Sequence, residues 1–122
     1  MTEGCIYLCG PMSGVPYFNF PEFFRSEEFL INEGWQVLNP AKTTVTLWGD
    51  FWKECPSGSH EEAEKACWPK SSPTYKVALR MDLMSIFDKA EAIALMPGWE
   101  RSKGATIEKL LADALGLRVI YL

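Results

Sequence analysis

The chain opens on an uninterrupted apolar run, Cys5-Ile6-Tyr7-Leu8-Cys9, closed by Gly10-Pro11. Continuous apolarity between two breakers predicts a strand buried on both faces, as in a parallel sheet. Similar short runs recur at Trp35-Gln36-Val37-Leu38, stopped by Asn39-Pro40, at Ala92-Ile93-Ala94-Leu95-Met96, stopped by Pro97-Gly98, and over residues 117–122. Between these runs the apolar period lengthens to that of a helix. Pro21 suits the first turn of a helix that reaches about Asn32 and ends at Gly34, with Phe23, Phe24 and Phe29 facing the core. Leu79, Leu83, Ile86 and Phe87 form one face of a second helix starting near Thr74. Ile107, Leu110, Leu111, Ala114 and Leu115 form the face of a third, closed by Gly116. Residues 41–72 carry Trp48, Trp52 and Trp68 among glycine and proline breaks without a clear period, and are expected as a long loop with one short helix. Loops of that length in a compact domain usually act as lids or mobile segments.

Strands alternating with helices across short junctions predict an α/β fold. The expected architecture is a doubly wound, Rossmann- or flavodoxin-like parallel sheet of four to five strands flanked by helices, in a single domain spanning residues 1–122. Ligands in such sheets bind beyond the carboxyl ends of the strands. That rule directs attention to the loops following the first strand and the 92–96 strand.

Composition narrows the function classes. A hydrophobic content of 48% is enough for one core without metal or disulfide staples. A net charge of −4 and a pI near 5.0 leave no basic footprint for a polynucleotide, although a single phosphate can still be held by backbone amides. No apolar run reaches the roughly 18 residues of a membrane span, and no leader pattern is present, so a cytoplasmic protein is expected. Cys5, Cys9, Cys55 and Cys67 form no CxxC pair and are read as reduced thiols. Cys55, His60 and Cys67 match no zinc spacing and lack a fourth ligand, so neither a metal nor another cofactor is expected.

Two loops carry the candidate chemistry. Gly10-Pro11-Met12-Ser13-Gly14 permits close backbone approach to a phosphate or ribose, and equally fits an ordinary tight turn. In Gly98-Trp99-Glu100-Arg101-Ser102-Lys103-Gly104-Ala105, Ser102 is an N-cap candidate whose helix amides face an anion, and Trp99 either stacks on a base or plugs the loop. Glu108 falls on the border of the apolar face of the following helix, and Asp82 beside that of the preceding one. Each reads alone as a solvated or structurally paired acid. Together at one sheet edge they suit glycosyl chemistry, in which one acid protonates a leaving group and one carboxylate attacks the anomeric carbon.

Tyr7-Leu8-Cys9-Gly10-Pro11-Met12-Ser13-Gly14, Phe18-Asn19-Phe20-Pro21, Asp82 and the 98–108 segment together resemble the nucleoside 2-deoxyribosyltransferase superfamily, in particular its short bacterial and phage members. The resemblance implies Glu108 as the nucleophile on the sugar C1′, Asp82 as the group that positions or protonates the base, and Tyr7 as the residue orienting the catalytic carboxylate. It implies a pocket for a nucleoside or nucleotide lined by Gly10, Met12, Ser13, Gly14, Phe18 and Asn19, and by Gly98, Trp99, Ser102 and Gly104. By similarity to 2′-deoxynucleoside 5′-monophosphate N-hydrolases, Ser13 and Ser102 are the phosphate candidates. The implied activity is an N-glycosidase, with deoxyribosyl transfer to a second base or non-catalytic nucleotide binding as alternatives. Because relatives complete the pocket from a neighbouring subunit, the resemblance also implies a homodimer or higher homo-oligomer.

Overall fold

The computed structural model describes residues 3–65 and 75–122, excepting the side chains of Glu64 and Tyr75. The structure is α/β. Strands β1 (Gly4–Cys9), β2 (Trp35–Leu38), β3 (Ala92–Leu95) and β4 (Arg118–Tyr121) form one all-parallel sheet in the order β2-β1-β3-β4. Ile6 lies between Val37 and Ala92, and Cys9 pairs with Leu95 at the carboxyl end. The uninterrupted apolar runs thus occupy the two central strands, where both faces are covered.

Side-chain alternation divides the core into two layers. Ile6, Leu8, Ala92, Ala94 and Met96 face helices α1 (Phe20–Asn32) and α2 (Pro40–Trp48), together with buried Cys55 and Ala63. Tyr7, Cys9, Ile93 and Leu95 face α4 (Tyr75–Lys89) and α5 (Lys103–Ala114) through Ile86, Ala105 and Ala112. The sheet order reverses between β1 and β3. The loops leaving that switch point, at residues 10–15 and 97–102, start side by side, with Met96 N donating to Cys9 O at 2.8 Å.

Several sequence expectations need correction. Residues 41–65 are mostly helical: α2 and α3 (His60–Lys65) flank a 3-10 turn at Phe51–Glu54. The Asn39-Pro40 pair that ends β2 also starts α2, since Asn39 Oδ1 accepts from Ala41 N at 3.0 Å and Lys42 N at 3.4 Å. The remainder of the expected 41–72 loop, with Cys67, Trp68 and the helix start near Thr74, lies outside the described residues. Phe29 and Phe87 are 54% and 61% exposed rather than core-facing, because Phe23, Leu30 and Ile86 occupy the inner positions of α1 and α4. On α5 the inward residues are Ala105, Glu108 and Ala112, while Leu110 is 67% exposed. Small alanines bring this helix close to the sheet; Leu111 packs against the core, while Ile107 and Leu110 face outward. Among the described residues, no helix is long and apolar enough to cross a membrane.

Candidate functional site

Glu108 is the most buried charged residue described, at 6% exposure. A carboxyl group so placed needs hydrogen-bond partners, because desolvation disfavours its ionised form. Tyr7 Oη, also buried, donates to Glu108 Oε2 at 2.8 Å across 101 positions of sequence. Two residues further along β1, on the same face, Cys9 Sγ donates to Ala105 O at 3.4 Å. Half-buried Asp82 of α4 completes the cluster, near enough for the Tyr7 hydroxyl to stabilise its carboxylate. Tyr7, Asp82 and Glu108 therefore converge beneath α4 and α5 at the central strands.

The electrostatics follow from that enclosure. Burial pushes the Glu108 carboxyl well above the usual carboxylate range, and the Asp82 charge adds to the rise; hydrogen bonds from Tyr7 and Cys9 oppose it. Asp82 is raised by burial as well, with the Tyr7 hydroxyl pulling the other way. The Tyr7 phenol is raised by burial first and by the neighbouring Glu108 and Asp82 charges next. The Cys9 thiol is raised for the same reasons, burial leading, and remains a neutral donor. Two adjacent acids resist simultaneous ionisation, so proton loss from either is coupled to the other.

The two loops meet above this cluster. Gly10 packs so tightly on β3 that a Cβ there would lie 2.7 Å from Met96 Sδ, and a Cβ on Gly98 would touch Pro11 Cγ at 3.4 Å. Ser13 and Gly14 are exposed, while half-buried Met12 packs on the core. Ser102 Oγ caps α5 by accepting from Ala105 N at 3.2 Å, and Gly104 lies half-buried in its first turn. Trp99 packs against the core with Lys109 Nζ 5.9 Å from its ring centre, the plugging alternative for this residue. Phe18 is buried among Phe20, Phe51 and His60, a position from which its ring cannot stack on a base without moving. Asn19 Nδ2 donates to Pro11 O at 3.0 Å, so it braces the first loop.

Sequence reasoning missed Cys9 and Ala105 as members of the carboxylate cluster. The signal was available in strand alternation, since Cys9 shares its face with Tyr7, and in the i, i+3 relation of Ala105 to Glu108. Cys5, Cys9 and Cys55 are free thiols, and Cys55 Sγ donates to Phe51 O at 3.3 Å. Among the described residues no group of three or more His, Cys, Asp or Glu is arranged to hold a metal ion.

The family model described as a domain of unknown function, DUF4406, matches residues 5–121. That span contains both loops and every residue of the carboxylate cluster. No curated protein and no solved structure matches the chain.

Proposed function

The chain belongs to the DUF4406 family, and for this member we propose an N-glycosidase that cleaves the base from a 2′-deoxynucleoside 5′-monophosphate. The observation that carries the reading is the buried Tyr7–Glu108 hydrogen bond of 2.8 Å beside Asp82, under the loops of a parallel-sheet switch point. A surface acid would be solvated. This one is desolvated, oriented, and adjacent to a second acid.

The proposed mechanism divides labour within the pair. The pair shares one proton, which burial favours on Glu108 before substrate binds. Substrate binding shifts it to Asp82, and the ionised Glu108 Oε attacks C1′ while the C1′–N bond breaks and its electron pair passes to the base nitrogen. Asp82 supplies the proton that the departing base requires. Tyr7 holds the Glu108 carboxylate in the attacking orientation. Water then adds at C1′ and gives its proton to Asp82, the Glu108–sugar ester bond breaks, and the free carboxylate is restored. The 5′-phosphate is assigned to the 10–14 loop and the N-terminus of α5, which offer backbone amides in place of net positive charge. No cofactor enters this chemistry. The reading also makes the protein a cytoplasmic enzyme.

The test is base release from a panel of deoxynucleoside 5′-monophosphates, deoxynucleosides and ribonucleotides, each with and without a competing free base. Release of base from the deoxynucleoside monophosphates, independent of the competing base, is the expected result. Base exchange without net hydrolysis would make the protein a transferase. Saturable binding with no release from any compound would leave a nucleotide-binding module and overturn the glycosidase.

A further inference from the structure

Residues 17, 18 and 19 have φ values of 56°, 55° and 64°. Three successive residues with side chains in the left-handed region are disfavoured by contact of Cβ with the neighbouring carbonyl. Such strain persists only where surrounding contacts over-determine it, and it concentrates at functional sites. Here the restraint comes from the 51–60 segment. Phe18 is packed edge-on to Phe51 at 6.1 Å and to His60 at 6.4 Å, and Tyr17 edge-on to Trp52 at 6.4 Å. Tyr17 N donates to Cys55 O at 3.0 Å, and Gly14 N to Gly58 O at 2.9 Å. Gly58 has φ 69° and lies so close to Val15 that a Cβ would be 1.9 Å from its carbonyl oxygen.

The strained turn ties back to the loop twice: Phe18 N donates to Val15 O at 2.9 Å, and the Asn19 side chain donates to the Pro11 carbonyl, 3.0 Å away. Within the 10–15 loop the bond from Val15 N to Met12 O, at 3.1 Å, is local, whereas Pro11, Gly14 and the Val15 carbonyl are tied to residues outside it, Pro11, among the described residues, by the side chain of Asn19 alone. The loop therefore takes its shape from the turn and the 51–60 segment. We propose that residues 17–19, clamped by the 51–60 segment, are a positioning device for the 10–14 loop, with Asn19 and Gly58 as its positioning residues. Assigning the benefit to substrate binding rests on the glycosidase reading, in which this loop takes the phosphate. A relaxed path at residues 17–19 would turn Asn19 from Pro11 and free the loop. The 51–60 segment acts as a buttress beneath the ligand loop.

Asn19→Gly and Asn19→Asp separate this role from simple tolerance of a left-handed backbone. Glycine adopts the conformation without strain but has no side-chain donor. An ionised aspartate keeps the shape and tolerates the conformation, yet only accepts hydrogen bonds. Peptide-level amide exchange over residues 10–15 is compared with that of α5 in the folded variants, alongside kcat and KM for base release. In both variants exchange in the loop is expected to rise about tenfold while α5 stays protected, reflecting local opening. KM should rise about tenfold with kcat within about twofold of wild type, as for lost ground-state binding. Gly58→Ala, which displaces the Val15 carbonyl, should loosen the same peptide. Wild-type exchange over residues 10–15 in Asn19→Gly overturns the proposal, since strain relief without loop release means that Asn19 positions nothing. Should the wild type release no base, the glycosidase reading falls and the exchange comparison still decides the inference.

Discussion

Glu108 gains nothing in stability from being ionised where it sits. Its folded carboxyl holds a proton at pH values where the unfolded chain, with a carboxyl near pH 4, has lost it. The native state therefore binds more protons than the unfolded state above that pH, and stability falls as pH rises towards the folded value. Glu108→Gln removes the titration while keeping shape. It is expected to match wild type near pH 4 and to exceed it at pH 8 by more than about 1.4 kcal/mol, the equivalent of one pKa unit. Urea unfolding at both pH values checks this; an equal difference at the two would show that Glu108 is not held protonated. Tyr7→Phe deletes the donor that favours the ionised form, leaving the carboxylate short of a charge-assisted bond of about 1.5–3 kcal/mol. The acid limb of the kcat/KM profile should move to higher pH and the plateau should fall roughly tenfold to a hundredfold. An unmoved limb would separate Tyr7 from the titrating group.

At the scale of elements, strand content was the most legible part, because β1 and β3 are covered on both faces and their apolar runs have no polar interruption. The α5 register was not. Periodicity weighs Leu110 and Ile107 above Ala105 and Ala112, but the sheet face requires small residues, and the partner that satisfies Glu108 is 101 positions away. Helix α2 escaped notice although Asn39-Pro40 is a cap followed by a first-turn proline, since the same pair also reads as a strand stop. Asn39 is buried, and its side chain holds Phe23 O as well as the α2 amides. Asn39→Ala should cost about 1–2 kcal/mol in urea unfolding; no loss would mean that α2 is held by its packing alone. The candidate site was legible as residue types at a sheet edge, and the roles proposed for it, which spacing could not supply, rest on the resemblance. The brace formed by Asn19 was invisible in the sequence because it depends on left-handed backbone at three residues that are not glycine.

At the scale of the whole molecule, the exposed apolar side chains among the described residues include Met84 and Phe87 on α4 and Ile107 and Leu110 on α5. Among the described residues Trp35 is buried and Trp48, Trp52 and Trp99 are half-buried, while Tyr17, Phe29, Phe87 and Tyr121 are exposed. A homodimer of the kind the resemblance implies would bury these α4 and α5 side chains in a closed two-fold contact. Sedimentation at micromolar concentration should give a dimer for wild type and a folded monomer for Phe87→Asp combined with Leu110→Asp; a wild-type monomer would contradict this assembly. Beneath the same two helices lies the carboxylate cluster on which the proposed function depends. The most direct measurement is the rate of base release from deoxynucleoside 5′-monophosphates by wild type and by Glu108→Ala, with native-state spectra matched. Release by wild type and a loss of at least about a thousandfold in the variant is the predicted result; release at the wild-type rate by Glu108→Ala would contradict the assignment of Glu108 as the nucleophile.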